Sequence, residues 1–364
     1  MQSLFAFEQC KEADYQLSLE ELDVRFQPDM TSMEVQDREL LAGLRKESKQ
    51  HFENKFKNSN SPNHDKPEVN TSVVKALKDY EGRVKKDLLF FKQNLVIEVE
   101  RINEFYYSVL GLLVAIADCA KADTRVNHKN FFENPWIKSL ISNEDLKRAL
   151  SRTTYSWSDK MNQVRGWFKD TIKKNEAYIT FIRLNAPIEE ENRAIINYVV
   201  RKLILGSDSI SDFYQQHDIR WAEDKEIIKG LVNRTVKSFD GVSMTLQKLT
   251  LDWEDDREFM ERLFSGTVNL DKNHVDLIAK NTKNWEVERL PLTDRVILEM
   301  AIAELILFPS IPVKVTINEY IELAKLYSTP KSRQFINGIL DVIAKELKSS
   351  GELKKSGRGL IDNK

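Results

Sequence analysis

The stretch from Leu290 to Leu347 constrains the fold most, because its apolar spacing and its prolines predict three consecutive helices. The first runs from about Thr293 to Phe308 and is apolar on nearly every side, which is typical of a helix at the centre of a core. Pro309 ends this helix, and a second amphipathic helix follows. Thr329 before Pro330 predicts an N-cap followed by proline at the first position of the third helix.

A second pattern predicts that the whole chain is all-α. From Val84 to Ala120, apolar residues recur in steps of four and three, which predicts one long helix, or two stacked end to end, with a coiled-coil-like seam. We interpret the seam as the core stripe of a helical bundle. The 364 residues include only 12 Gly and 9 Pro, and we find no strand signal and no internal repeat. Residues 58–70 (NSNSPNHDKPEVN) predict a linker, and Lys11 to Asp37 predicts a loop with short helical pieces.

Composition limits the partners and the compartment. The net charge of −2 means that any nucleic-acid site has to be a local basic patch. Cys10 and Cys119 lack metal-ligand spacing and fit a reducing cytosol as small buried hydrophobes. No signal peptide is visible, and the most apolar run, Val296 to Phe308, is too short to cross a bilayer. We therefore expect a cytoplasmic protein that does not interact with a membrane.

The sequence offers no pattern for an enzyme, a metal or a cofactor. The five histidines are scattered, and no phosphate-binding, dinucleotide-binding or nucleophile-elbow motif is present. The acidic run from Asp252 to Asp256 is better explained by a helix start, where negative charge complements the macrodipole, than by a metal. We predict no catalytic residue, no metal site and no cofactor.

Two segments carry a family resemblance. Ile311-Pro312-Val313-Lys314-Val315-Thr316-Ile317-Asn318-Glu319 is similar to the segment "IPxKVAINE" of NusB-type transcription antitermination factors. The segment from Ser332 to Asp341 resembles "SxxFVNGVLD", which follows it in that family at the same spacing. Trp285 to Leu305 and Asp256 to Asn284 look like the preceding family helices, and Met1 to Cys10 resembles the first one.

The resemblance implies a NusB-like helical core with a large helical insertion between its first helix and the rest. Residues 1–12 would be the first core helix, 13–250 the insertion, 251–350 the core that binds RNA and partner, and 351–364 a basic, disordered tail. The family's arginine-rich arm is not seen before Met1, so we favour a start internal to a longer product. One reading of that departure is that RNA binding has lapsed and the chain is a helical scaffold that binds only protein.

The implied function is RNA binding in transcription antitermination. NusB proteins pair with NusE, a small ribosomal protein, act on the RNA polymerase complex indirectly, and bind boxA, a short single-stranded element of ribosomal RNA transcripts. Residues 325–364 contain nine basic and four acidic residues, which fits RNA but equally fits a solvated helix face with a tail. The predicted RNA-binding residues are Lys325, Lys331, Arg333, Asn337 and Asp341.

The resemblance also implies a protein partner site. Phe5 and Glu304 match positions associated with the NusE contact, and Phe5 stands where the family has a tyrosine. Glu304 lies in an otherwise apolar helix, so we expect its charge to reach a surface or a cationic partner.

Overall fold

The structure is a computed structural model that describes residues 1–31, 33, 35–153, 156–282 and 290–363. Those residues contain no β-strand, which confirms the all-α prediction. Part of the predicted helix Trp285 to Leu305 lies outside the described residues. Asn284, which ends the predicted segment from Asp256, and Lys364, which ends the predicted tail, also lie outside them. The helices are α1 Gln2–Arg25, α2 Arg38–Lys57, α3 Pro67–Ala122, α4 Lys129–Phe132, α5 Pro135–Ser142, α6 Glu144–Arg152, α7 Met161–Trp167, α8 Glu176–Ile182, α9 Glu189–Tyr198, α10 Asp208–His217, α11 Trp221–Lys237, α12 Trp253–Val268, α13 Lys272–Asn281, α14 Leu292–Leu307, α15 Val313–Tyr327 and α16 Pro330–Ser349.

Short polar side chains fix the starts of several helices, as their sequence positions require. Asp37 accepts the backbone N–H groups of Glu39 and Leu40 at the start of α2, at 3.1 and 3.0 Å. Asn143 and Asn175 cap α6 and α8 in the same way. Glu254, Asp255 and Asp256 lie in the first turn of α12, as the helix-start interpretation predicted.

The chain divides into two compact units. The first comprises Met1–Val96 and Glu254–Lys364, and the second comprises Ile97–Trp253. The insertion was predicted to run from 13 to 250, so its predicted start differs from the boundary between the units at residue 96. α3 contributes residues to both units and is one continuous helix, which decides between the two alternatives for the predicted seam.

The first unit has its main core around α14. The buried residues of α14 pack with α12, α13, α15 and α16, and Leu4 of α1 belongs to the same cluster. Ile297, Leu298 and Ile302 are completely buried, as expected for a helix that is apolar on nearly every side. A smaller cluster forms where Leu22 of α1, Phe52 of α2 and Val73 of α3 meet.

α1 is longer than the sequence indicated. It continues to Arg25, so the loop predicted from Lys11 is wrong over that stretch. Asp14 and Ser18 are buried there because both interact with Arg83 of α3, at 3.2 Å for the carboxylate and 2.7 Å for the hydroxyl. Polar residues on the buried side conceal the amphipathic pattern on which sequence analysis depends.

The second unit surrounds the C-terminal half of α3. Tyr106, Val109, Leu113 and Ile116 are completely buried there, in one cluster with residues of α5, α9 and α11. One window of α3 is long and apolar enough to cross a membrane by composition alone, which the sequence analysis overlooked. Because 72% of that window is buried inside the protein, it fits the core helix of a soluble protein.

Candidate RNA and partner interface

The start of α16 is held firmly by its neighbours. Thr329 accepts the Ser332 N–H at 3.2 Å, and Pro330 occupies the first turn, as predicted. The Ser328 hydroxyl donates a hydrogen bond to the buried Asp294 carboxylate of α14. This contact fixes the turn between α15 and α16 against the central helix of the core.

α16 separates an apolar face from a polar one. Its buried residues are Ile336, Ile339, Leu340, Ile343 and Leu347. Arg333, Asn337 and Asp341 are exposed and follow one another at intervals of four residues, so they share a side of the helix and are about 6 Å apart along its axis. Lys331 is exposed in the first turn of α16, two residues before Arg333, and so projects from a different side of the helix. The structure therefore brings Arg333, Asn337 and Asp341 together on one side of α16, with Lys331 exposed at the same end of the helix.

The two cations at the start of α16 are available to a ligand. Neither Lys331 nor Arg333 has a carboxylate within ion-pairing distance among the residues that the structure describes. Lys325 differs, because it lies on α15 and forms an ion pair with Glu322. Gly338 is exposed in the middle of α16, and a Cβ added there would come within 4 Å of no atom of the described residues outside the helix's own backbone. The backbone of α16 is thus open to close approach at the predicted RNA surface.

Phe5 and Glu304 occupy different environments. Phe5 is half-buried on α1, between the buried Leu4 and Phe7. Glu304 is only 6% exposed, and its carboxylate accepts a 3.0 Å hydrogen bond from the hydroxyl of Tyr320 on α15. The alternative that the charge of Glu304 reaches a surface is therefore wrong, because the carboxylate is buried, whereas the alternative of a cationic partner agrees with the nearby charge of Lys355. Its assignment to the partner site stays a prediction.

The environment of Glu304 also includes the C-terminal segment. Burial raises the pKa of the Glu304 carboxyl, while hydrogen bonds from Thr316 and Tyr320 and the nearby charge of Lys355 act in the opposite direction. The Lys355 ammonium donates to the Phe308 carbonyl at 3.1 Å, and the Ser356 N–H donates to the Pro309 carbonyl at 2.9 Å. These contacts hold a positive charge near Glu304.

The described part of the tail is folded, in contrast to the disorder that was expected. Gly357–Asn363 forms a 3-10 helix after the contacts of Lys355 and Ser356. At Gly359 a Cβ would come within 2.1 Å of the Pro309 carbonyl oxygen, so the approach requires glycine. The Gly-Arg-Gly sequence at 357–359 was the signal that could have indicated this packing.

A polar cluster between α1 and α14 escaped the sequence analysis. Arg295 of α14 contacts Glu8 of α1 at 3.0 Å and lies 3.8 Å from Glu299, one turn further along α14. Lys11 is 2.8 Å from Glu8, and the cluster borders a cavity of about 200 Å³. Burial raises the pKa of Glu299 to about 7, against the nearby charges of Arg295 and Lys11.

Known proteins resemble the C-terminal part of the chain. The model of the NusB family matches residues 215–345. The transcription antitermination protein NusB of Chloroherpeton thalassium is 52% identical over 77 residues, which make up 21% of this chain and 36% of that protein. The NusB of Salinibacter ruber is 49% identical over 76 residues, which make up 21% of this chain and 48% of that protein. Among solved structures, T. maritima NusB is 31% identical, with 45% of this chain and 94% of that chain covered and a TM-score of 0.25.

The matches cover only part of this chain and only part of each curated relative. The chain spans less than half of the length of the two curated relatives. The family match begins at residue 215, within α10. The core boundary at residue 251 stays a prediction. Residues 215–345 are a NusB-family domain, which occupies the C-terminal part of a longer helical chain.

Proposed function

We propose that this chain is a cytoplasmic transcription antitermination factor that binds boxA-like single-stranded RNA together with NusE. The NusB-family domain at residues 215–345 supports the class of function. The observation that carries RNA binding is the start of α16, where Lys331 and Arg333 have no acidic partner among the described residues and Asn337 is exposed one turn after Arg333. Cations at the start of a helix neutralise phosphates, and an amide can read a base edge.

The geometry of α16 favours a single strand over a duplex. Lys331 and Arg333 would hold the backbone, and Asn337 would face an unpaired base about one turn further on. The open backbone at Gly338 lets a ribose or a phosphate lie close to the helix. The ion pair of Lys325 with Glu322 reduces its expected share of the RNA affinity, because that charge is already partly neutralised.

NusE is proposed to bind near α1, where Phe5 is half-buried on the helix. Glu304 would then act through its neighbours, since its hydrogen bond with Tyr320 ties α14 to α15. A change at Glu304 would thus alter the packing beneath a partner surface without removing a direct contact.

Replacing Lys331 and Arg333 together by alanine tests the proposed function. If each neutralises a phosphate, log affinity should fall with log salt with a slope of ~0.7 per contact, and the double variant should lose roughly one to two units of slope. Fluorescence anisotropy with a labelled boxA-like RNA over a salt series measures both quantities. The matched control is Lys75→Ala with Lys78→Ala, two exposed lysines of α3 outside the family match. Equal affinity and slope in the two double variants would refute the α16 site and leave a protein-binding scaffold as the function.

Asp341→Asn should tighten RNA binding. Asp341 is exposed on the same side of α16 as Arg333, so its carboxylate repels a phosphate that the cations attract. We expect a gain of about twofold to tenfold at low salt that shrinks as salt rises. The gain should be the same with and without NusE, because the repulsion is local. Weaker binding by Asp341→Asn would mean that the carboxylate contacts the RNA favourably.

A further inference from the structure

A second basic site lies in the 97–253 unit, outside the NusB-family match. A cleft of about 350 Å³ opens where α3 ends and where α7 continues into a π-helical segment, Phe168–Ile172. Its lining includes four cationic side chains, those of Arg125, Arg165, Lys169 and Lys173. Among the described residues that line it, only Asp123 is acidic. Nothing in the function proposed above uses this cleft.

The positive charge of the cleft is not balanced by its own acidic group. Asp123 pairs with Lys173 and is 3.3 Å from Arg125. Arg165 and Lys169 have no carboxylate partner within ion-pairing distance in the part of the chain that the structure describes. The nearest acid along the segment, Asp170, is 2.9 Å from Lys174 instead. No carboxylate of the described residues therefore neutralises these two cations, and the Arg165 guanidinium donates a hydrogen bond to the neutral amide of Asn162, at 3.0 Å.

The wall of the cleft is built from well-fixed groups. The Lys173 N–H donates to the Phe168 carbonyl at 2.8 Å, which closes a π-helical turn, a feature that is frequent at functional sites. Behind Asp123, the completely buried His128 ring is hydrogen-bonded at Nδ1 to the Tyr178 hydroxyl, at 3.0 Å. Its Nε2 lies 3.6 Å from the Asp123 carboxylate and has no hydrogen-bond partner among the described residues. This buried ring packs behind Asp123, the acidic residue that lines the cleft.

We propose that this cleft binds a phosphate group, carried by a nucleotide or by an RNA backbone. Arginine and lysine together form the usual site for phosphate, with the guanidinium able to donate two parallel hydrogen bonds. The volume lies at the lower end of the range for small-molecule pockets, about 300–1,000 Å³. It therefore exceeds what one inorganic phosphate fills and leaves room for an attached sugar.

Titration of the full chain with inorganic phosphate, AMP and a 5′-hydroxyl RNA oligonucleotide tests this site. Calorimetry measures the first two ligands and fluorescence anisotropy the third. Arg165→Ala with Lys169→Ala should weaken binding about tenfold, while Arg165→Lys with Lys169→Arg keeps the charge and should retain most of it. The matched control is Lys138→Ala with Arg193→Ala, two exposed residues of the same unit that do not line the cleft. Because none of these changes touches α16, the outcome is independent of the function proposed above.

The ligands separate the two sources of phosphate. Selective loss of AMP and inorganic phosphate binding in the cleft variant indicates a nucleotide site, and selective loss of oligonucleotide affinity indicates a contact to an RNA backbone. Either result supports the proposal. The proposal would be overturned if the Arg165→Ala, Lys169→Ala protein and the control protein bound each of the three ligands with equal affinity.

Discussion

Glu304→Lys is expected to destabilise the first unit by about 3 kcal/mol or more. The substitution removes the acceptor of the buried Tyr320 hydroxyl and places an ammonium where burial is nearly complete. The new charge would also face Lys355, whose charge now favours the ionised glutamate. Both effects act in the same direction, since one leaves a polar group without a partner and the other brings like charges together.

Urea unfolding followed by circular dichroism measures this effect. Glu304→Gln keeps an acceptor for Tyr320 and should lose only about 1 kcal/mol. Glu319→Lys, an exposed change on α15, should stay within about 0.5 kcal/mol of the unsubstituted protein. A Glu304→Lys protein as stable as that control would show that the side chain leaves the core, as the sequence alone suggested.

Glu299→Gln should stabilise the protein in a way that depends on pH. The pKa of Glu299 is raised from 4.5 to about 7 in the folded protein. Below pH 4.5 the carboxyl is protonated in both states, and between pH 4.5 and 7 only the unfolded state releases the proton. The contribution of Glu299 to the free energy of unfolding therefore falls as the pH rises from 4.5 to about 7, and it is constant above pH 7. The shift in pKa corresponds to a loss of about 3 kcal/mol in the free energy of unfolding.

The glutamine side chain does not ionise, so the Glu299→Gln protein does not lose stability in this way. Its free energy of unfolding should exceed that of the unsubstituted protein by almost nothing at pH 4.5 and by the largest amount above pH 7. Free energies of unfolding between pH 4.5 and 8 give the curve. Glu20→Gln, an exposed change on α1, serves as the control and should show a flat difference. A difference that does not change with pH for Glu299→Gln would mean that the carboxyl titrates normally beside Arg295.

Local patterns predicted the helices of the NusB-family domain well. The proline-bounded core helix corresponds to α14, and Thr329 caps α16 as its position indicated. The exposed positions of Arg333, Asn337 and Asp341 also follow from the helical repeat, because the apolar positions of α16 fix which side is buried.

Contacts between distant parts of the chain could not be predicted. The burial of Glu304 depends on Tyr320 and Lys355, which no local pattern connects to it. The part of α1 after Cys10 carries polar residues on its buried side, Asp14 and Ser18, whose contact with Arg83 no local pattern indicates. The basic cleft joins the end of α3 to the π-helical segment, so no short motif marks it.

The most direct test of the central claim is the affinity of the full chain for boxA-like RNA in the presence of NusE. Fluorescence anisotropy should be measured with this RNA and with a scrambled RNA of equal length and composition, each with and without NusE. We expect tighter binding to the boxA-like RNA than to the scrambled one, strengthened by NusE and weakened by the alanine changes at Lys331 and Arg333. Equal affinities for the two RNAs with NusE present would contradict the proposal.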